Sequence, residues 1–253
     1  MKKLITTLFI LMLILTLSAC KTNESNTILV GISPDYPPYE SLTVDGEMVG
    51  FDIDMTNLFS KYLKEEGYDY EFEFVQMDFD NIITQIQTDQ LSIGISGFTY
   101  KEDREVEWSK PYLGTSQVAL IPADSDINSV QDLEGKSIVY QTGGTGEETA
   151  NSIPNAKTTG LKNAQEIMNA LGANQFDAAI IDIGFAAQYV ENANFKMIEN
   201  LTSDEKNYII AKKGNTEMIE LINKCIEKFI ASDEYQELCQ KDELTPVEAE
   251  YCL

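Results

Sequence analysis

The chain contains no histidine, and this absence excludes several kinds of function. Without an imidazole there can be no Ser-His-Asp or Cys-His nucleophile system and no metal site with histidine ligands. We therefore predict neither a metal nor another cofactor. Positive charge is also scarce, because 18 Lys and Arg face 42 Asp and Glu, for a formal net charge of -24. So acidic a chain is not expected to bind nucleic acid through phosphates, or anionic lipid through charge.

Long apolar runs are absent except at the amino terminus, where residues 4–17 are too few and wrongly flanked for a membrane-spanning helix. Two lysines precede this run, and small residues lead into Cys20. This pattern is typical of a lipoprotein signal, which is cleaved before a cysteine that then carries the lipid. We predict a signal peptide at 1–19, a flexible tether at 20–26 and a lipid anchor on Cys20 that holds the protein on the extracytoplasmic face of the cell membrane.

Three further cysteines are present. Cys225 falls on the apolar side of a helical pattern and is expected in the core. An exported protein can form disulfides, and our preferred pair is Cys239 with Cys252. Their spacing has no CxxC form, so a metal site is not indicated.

From residue 27 onwards the pattern alternates between strands and helices, which predicts an α/β protein with two lobes. Strands are expected at 28–30, 70–75, 91–95, 118–121, 137–140, 178–181, 195–198 and 208–211. Helices are expected at 52–67, 79–88, after 146, and at 164–171, 183–192, 216–231 and 233–241.

The stretch 96–112 has the residues of an anion-binding site. It follows an apolar strand, and α/β folds bind ligands at the carboxyl ends of strands. Gly97 allows close approach of the backbone, Thr99 offers a hydroxyl, and Arg104 offers a charged fork that fits a carboxylate. The alternative is that Arg104 only neutralises the acidic residues around it on a surface loop.

The glycine-rich turn at 142–146 lies between a strand and a helix, where backbone N–H groups can bind an anion. It lacks the Lys-Ser/Thr ending of a phosphate-binding loop, so nucleotide binding is not predicted. A helix cap built by Thr145 accounts for the turn equally well.

Asp182 follows another apolar strand and precedes a helix. Its carboxylate either caps that helix or faces the crevice at the strand end and binds a cation. Tyr36 and Phe79 each lie at the entrance to an element, where packing and ligand contact are both open to an aromatic ring.

Six blocks, in order, make the chain from residue 28 to about 241 resemble the bacterial extracellular solute-binding proteins that serve ABC importers of polar amino acids. The blocks are GISPDYPPYE at Gly31, GFDIDM at Gly50, MDFDNII at Met77, GFTYKEDREVEWSKPY at Gly97, DLEGKSIVYQTGGTGEE at Asp132 and FDAAIID at Phe176. The resemblance implies a periplasmic-binding-protein-like fold of type II, in which two crossing hinge segments join two lobes. Lobe 1 would comprise 27–113 and 207–253, and lobe 2 would comprise 114–206.

The resemblance also implies roles for nine residues. Arg104 would bind the α-carboxylate of an amino acid with help from the backbone N–H groups of Thr99 and Thr145, and Asp182 would bind the α-ammonium. Tyr36 and Phe79 would sandwich the side chain of the ligand. The remaining ligand contacts would come from Ser33, Gly97 and Gln141.

This chain departs from the family pattern at Ser33, where many relatives have an aspartate that contacts the ammonium or a basic side chain of the ligand. The aromatic rings favour a cationic or amide side chain, and Asp35 and Glu40 are expected near the mouth of the pocket. These features predict a polar amino acid, glutamine or arginine before others.

The resemblance therefore implies a monomeric binding lipoprotein, not an enzyme, that captures a polar amino acid between two closing lobes. It would deliver the amino acid to an ABC importer made of a permease and an ATPase. Two alternatives stay open: an exported dehydratase of the same fold that acts on a cyclic amino-acid precursor, and a ligand-sensing module.

Overall fold

The structure of the protein is a computed structural model that describes residues 26–190, 194–199, 201–202 and 204–247. Cys20, the predicted signal peptide, most of the tether and Cys252 lie outside the described residues. The predicted lipid anchor and the Cys239–Cys252 pair therefore stay predictions. Cys239 itself is buried, and so is Cys225, as expected for a core residue.

The described residues form thirteen strands and seven α-helices. The strands are β1 Thr27–Ile32, β2 Asp35–Tyr36, β3 Glu40–Leu42, β4 Met48–Val49, β5 Glu71–Gln76, β6 Ile93–Thr99, β7 Val106–Thr115, β8 Gln117–Pro122, β9 Ser137–Gln141, β10 Lys157–Leu161, β11 Ala178–Asp182, β12 Phe195–Ile198 and β13 Glu205–Lys212. The helices are α1 Phe51–Glu65, α2 Phe79–Gln87, α3 Thr145–Ser152, α4 Ala164–Gly172, α5 Ile183–Val190, α6 Thr216–Ile230 and α7 Asp233–Lys241.

Two five-stranded sheets organise these elements into two lobes. Lobe 1 is built on the order β5-β1-β6-β13-β7, with β1 parallel to β5 and β6 and with β13 antiparallel to both of its neighbours. Lobe 2 is built on the order β10-β9-β11-β8-β12, with β9 parallel to β10 and β11. A small sheet of β2, β3 and β4 adjoins lobe 1. The two predicted α/β units are thus present.

The helices form where the apolar period matches a helix, and α4, α6 and α7 also begin after a residue whose side chain caps the first turn. In α6, for example, the buried residues recur at helical spacing and include Cys225, and the Asn215 side chain accepts a hydrogen bond from the Met218 amide. Phe229 of this helix packs against the rings of Phe51 and Tyr235, which joins α6 to α1 and α7. Within the described residues, no helix is both long and apolar enough to span a membrane.

The chain passes between the two sheets twice. The first crossing is at Ser116, between β7 and β8, and the second lies between β12 and β13. Thr115 pairs with Glu205 where the two crossings leave lobe 1, so its sheet extends slightly beyond the predicted boundaries. The domain limits at 113 and 207 remain predictions.

Several strands escape the sequence prediction. Strand β7 is missed because its buried positions do not alternate and it contains lysine and proline. Strand β10 is missed because it lies at the sheet edge and is largely exposed. Strand β6 continues to Thr99, beyond the expected end at 95, so Gly97 and Thr99 belong to the strand instead of a following loop.

Candidate ligand-binding site

One cavity between the two lobes is lined by all nine residues for which the resemblance implies ligand contact. They are Ser33, Tyr36, Phe79, Gly97, Thr99, Arg104, Gln141, Thr145 and Asp182. They meet because the carboxyl ends of β1, β6, β9 and β11 face this cavity, as do the first residues of α2 and α3. Strand topology in both lobes therefore brings distant parts of the sequence together.

The cavity is narrow. Its volume is only about 30 Å³. Side chains from the two lobes meet across it, since the Tyr36 hydroxyl donates to Asp182 and Asp35 accepts from the Ala164 amide. This is therefore a closed conformation.

Arg104 lies on the wall of the cavity and not on an exposed loop, since only 8% of it is accessible to solvent. It is also the only arginine in the sequence. Its Nη1 donates to the Thr99 carbonyl at 2.6 Å, and its Nη2 donates to the carbonyl of Gly143 in lobe 2. Burial lowers the pKa of Arg104 to about 10, so the guanidinium remains charged at neutral pH. The alternative of simple neutralisation on a surface loop is wrong.

The glycine-rich turn contributes the start of α3 to the same cavity. Gly144 is the cap residue, and no side chain caps this helix, so the predicted cap by Thr145 is wrong. The Thr145 hydroxyl instead donates to Glu205 at 3.3 Å. The first amides of α3 thus lie at the cavity without a side-chain acceptor from the cap position, which is the arrangement that binds anions.

Asp182 faces the cavity instead of capping α5. Its carboxylate accepts hydrogen bonds from Gln117 Nε2 at 2.8 Å, from Thr115 Oγ1 at 3.2 Å and, across the cleft, from the Tyr36 hydroxyl at 3.1 Å. Of the two roles left open by the sequence, the cation-binding orientation is the one found. Burial, and next the charge of Glu205, raise the pKa of Asp182 to about 7.

The two predicted aromatic walls are buried and stack on further rings. Tyr36 stacks on Phe185 of lobe 2, with ring centroids 4.2 Å apart. Phe79 stacks on Phe98 at 4.6 Å, and the Arg104 guanidinium lies about 6 Å from both of these rings. A flat, delocalised cation is held against aromatic faces in this way.

Glu40 is the residue that sequence reasoning places wrongly. It lies on the buried wall of the cavity, 1% exposed, and not near the mouth. Ser96 explains its position, because the Ser96 hydroxyl accepts from the Ser33 amide at 3.1 Å and donates to Glu40 Oε1 at 2.6 Å. Asp35, which is half-buried, accepts from the amide of Ala164 at the start of α4 in lobe 2.

Gln117 and Glu205 are site residues that the sequence analysis missed. Gln117 is 2% exposed, and its amide group contacts Thr145, Asp182 and Glu205. Both residues lie beside the crossing segments, where neither composition nor periodicity gives a signal. Their tertiary contacts could be found only once the two crossings were known to be adjacent. Within the described residues, no group of three or more Cys, Asp or Glu side chains is arranged to hold a metal.

Ion pairs also join the lobes at the rim of the cleft. Lys101 of lobe 1 pairs with Glu148 at 2.9 Å, and Lys162 of lobe 2 pairs with Asp80 at 3.0 Å. One partner in each pair is largely exposed, so each contributes little to stability. The closed conformation therefore depends mainly on the buried contacts of Tyr36, Asp35 and Arg104.

Replacement of Asp182 by Asn is expected to change how stability varies with pH. The pKa of Asp182 is raised from 3.8 to about 7, so the folded chain binds more protons than the unfolded chain between these values. Its titration therefore lowers the free energy of unfolding as pH rises from about 4 to about 7. Asp182→Asn removes this loss, and the variant should gain stability relative to the parent across that window. Urea unfolding of ligand-free protein at several pH values measures the difference.

The exposed Asp45→Asn variant is the matched control for the loss of one carboxyl group. A pH-independent difference for Asp182→Asn would contradict the assignment.

Comparison with known proteins agrees with this geometry. The family model of the bacterial extracellular solute-binding proteins, family 3, matches residues 28–241. The arginine-binding extracellular protein ArtP of Bacillus subtilis (strain 168) is 28% identical, over 95% of this chain and 98% of that protein. A probable histidine-binding protein of Campylobacter jejuni is 29% identical, over 96% of this chain and all of that protein.

Among solved structures, an ancestral arginine-binding protein bound to arginine has a TM-score of 0.78 and 32% identity, over 85% of this chain and 97% of that chain. These proteins are named for binding and not for catalysis. Because the family model spans most of the sequence and the two-lobed fold is shared, the chain belongs to the bacterial extracellular solute-binding proteins, family 3.

Proposed function

We propose that this protein binds a polar amino acid outside the cytoplasm, arginine before glutamine, and delivers it to an ABC importer. The observation that carries the proposal is the distribution of charge in the cavity between the lobes. Arg104 is the one cationic side chain among the residues that line it, all of which belong to the described chain, and Asp35, Glu40 and Asp182 are its carboxyl groups. One cationic side chain can pair with the single carboxylate of an amino acid. Three carboxyl groups can pair with a ligand that carries more than one cationic group.

The zwitterionic part of an amino acid fits two groups on opposite lobes. The ligand carboxylate would replace the Gly143 carbonyl as the acceptor of hydrogen bonds from the Arg104 guanidinium. The backbone amides of Thr99 and Thr145 would be further donors to it. The ligand ammonium would bind Asp182 in place of the Tyr36 hydroxyl. Ser33, Gly97 and Gln141 complete the lining around these two groups.

This division of the site couples binding to closure. Arg104 belongs to lobe 1 and Asp182 to lobe 2, so an amino acid can contact both only when the lobes are together. A ligand that binds the closed state better than the open state shifts the population towards closure. A permease and ATPase complex can then recognise the closed shape without contacting the amino acid itself.

The side chain of the ligand would lie between Tyr36 and Phe79, with its end towards Glu40. A guanidinium stacks on aromatic rings and pairs with a carboxyl group, which favours arginine. The amide of glutamine could stack and donate to Glu40, but it would leave the negative charge of the wall uncompensated. We therefore rank glutamine second.

The sequence features outside the described residues give the proposed location. Lipid on Cys20 would anchor a monomer to the extracytoplasmic face of the membrane, with residues 20–26 as a tether between anchor and fold. The relatives named above do not favour the dehydratase or the sensing module, so we propose transport.

The first test is thermal unfolding of the purified protein against a panel of L-amino acids. A ligand that binds only the folded state raises the unfolding midpoint, and at about 100 times its Kd it stabilises by roughly 2.7 kcal/mol. Arginine should give the largest shift and glutamine a smaller one. Shifts with branched aliphatic amino acids only, or with none of the panel, would contradict the proposal.

The second test concerns the two groups that bind the zwitterion. Arg104→Ala and Asp182→Ala should each weaken arginine binding by orders of magnitude, because each leaves one charged end of the ligand unpaired in a desolvated cleft. Arg104→Lys keeps the charge but loses the fork and should give an intermediate loss. Isothermal titration calorimetry measures these affinities, with the exposed Lys61→Ala as control. Near-parental affinity in both alanine variants would show that the site is elsewhere.

The third test concerns the anchor. Cys20→Ser removes the thiol that would carry lipid, so the variant should no longer partition into the membrane fraction of expressing bacteria. Mass spectrometry of the parent protein should show an acylated residue 20 at the amino terminus. Equal membrane partitioning of parent and variant would contradict a lipid anchor at this position.

A further inference from the structure

Two carboxyl groups, those of Glu40 and Asp52, are buried together beside the cavity. Glu40 is 1% exposed and Asp52 is fully buried. Glu40 belongs to β3 and lines the cavity, whereas Asp52 lies in the first turn of α1 behind it. The proposed function uses the part of Glu40 that faces the cavity, and it gives Asp52 no role.

One oxygen of each carboxyl group has an ordinary donor. Glu40 Oε1 accepts from the Ser96 hydroxyl at 2.6 Å, and Asp52 Oδ2 accepts from the Tyr112 hydroxyl at 3.1 Å. The other two oxygens, Glu40 Oε2 and Asp52 Oδ1, have no donor among the groups of the described chain. The Asp52 amide donates to the carbonyl of Tyr39 at 3.0 Å, which places Asp52 next to Glu40, and the two carboxyl groups interact as hydrogen-bonding partners. Two ionised carboxylates cannot form that bond, but a proton on one of them completes it.

The surroundings supply no cation that could replace this proton. The neighbouring titratable groups are Asp35 of β2, Tyr39 and Tyr112, and each of them is either acidic or neutral. No lysine or arginine in the described part of the chain forms an ion pair with Glu40 or Asp52. Burial raises the pKa of both groups, that of Glu40 well above its ordinary range and that of Asp52 to about 7.

We propose that the ligand-free protein holds one proton between Glu40 and Asp52, and that a cationic side chain entering the cavity displaces it. The exchange balances charge, since the pair changes from one negative charge to two as the ligand brings one positive charge. The proton leaves to solvent. This inference rests on the proposed function. It assigns a role to Asp52, which shares a proton with Glu40 in the ligand-free protein and loses this shared proton when a cationic ligand binds.

The exchange makes ligand choice depend on pH. An arginine side chain must displace the proton, so its affinity rises with pH by up to roughly tenfold per pH unit while the pair is protonated. A neutral side chain of the same length leaves the proton in place. Citrulline, which carries a neutral ureido group where arginine has its guanidinium, is therefore the matched ligand.

Calorimetry in buffers of different ionisation enthalpy counts the protons released on binding. Binding of the ammonium of any amino acid makes Asp182 lose its proton to the buffer, so the measured quantity is the difference between arginine and citrulline. We expect close to one more proton for arginine with the parent and with the control Asp45→Asn. In Glu40→Gln, whose amide N–H can donate permanently to Asp52, the extra proton should disappear. Equal release for both ligands in the parent would overturn the exchange while leaving amino-acid binding intact.

A second measurement needs no ligand. Carbon-13 NMR titration of the ligand-free protein follows the carboxyl carbons of Glu40 and Asp52, assigned with Glu40→Gln and Asp52→Asn. The pair should keep one proton near neutral pH. The loss of that proton at higher pH should shift the signals of both carboxyl carbons. Ordinary pKa values for both groups would overturn the shared proton. If no amino acid binds in calorimetry, the proposed function and the exchange both fail. The NMR titration would still show whether Glu40 and Asp52 share a proton.

Discussion

The cleft of this protein is governed by an excess of buried carboxyl groups over cations. Each carboxyl group needs a donor, a proton or a positive charge once water is removed. Asp182 receives three side-chain donors, Asp35 receives the first amide of α4, and Glu40 receives the Ser96 hydroxyl. The Tyr36 and Thr115 donors to Asp182 and the Ala164 donor to Asp35 come from the opposite lobe. The need to satisfy carboxyl groups therefore holds the lobes together as well as preparing the site for positive ligand groups.

The same contacts compete with the ligand. In the closed structure, the Tyr36 hydroxyl donates to the carboxylate of Asp182, and the guanidinium of Arg104 donates to the Gly143 carbonyl. A ligand must replace these hydrogen bonds, and a hydrogen bond to a charged group contributes a net stabilisation of about 1.5–3 kcal/mol. Affinity is thus the difference between ligand contacts and the contacts that the protein already makes to itself.

Much of the fold could be predicted from the sequence because it depends on local patterns, whereas the full set of site residues was implied by the resemblance to a known family. Helical periodicity locates α1 and α6, and polar residues placed after apolar strands locate Arg104, Asp182 and the turn before α3. What could not be predicted depends on tertiary packing. Periodicity does not reveal that Glu40 turns inwards towards Ser96, or that Gln117 lies against Asp182.

The missed strands have a similar cause. Strand β7 carries charged residues and a proline because it supports the crossing segment and packs against β13 and α6 instead of forming the centre of a sheet. Its hydrophobic pattern is therefore neither helical nor alternating. The local sequence predicts which residues are buried only where an element has one uniform buried face. The elements beside the crossing segments, such as β7, have no such face.

Tyr36 illustrates a consequence for how such a protein can change its cargo. Its ring lines the cavity and stacks on Phe185 of the other lobe, while its hydroxyl bridges to Asp182. A substitution that reshapes the pocket at this residue also removes two contacts that bring the lobes together. Divergence to a new solute through this position therefore alters lobe closure together with the shape of the pocket, and a new contact elsewhere in the cleft would be needed to replace those lost.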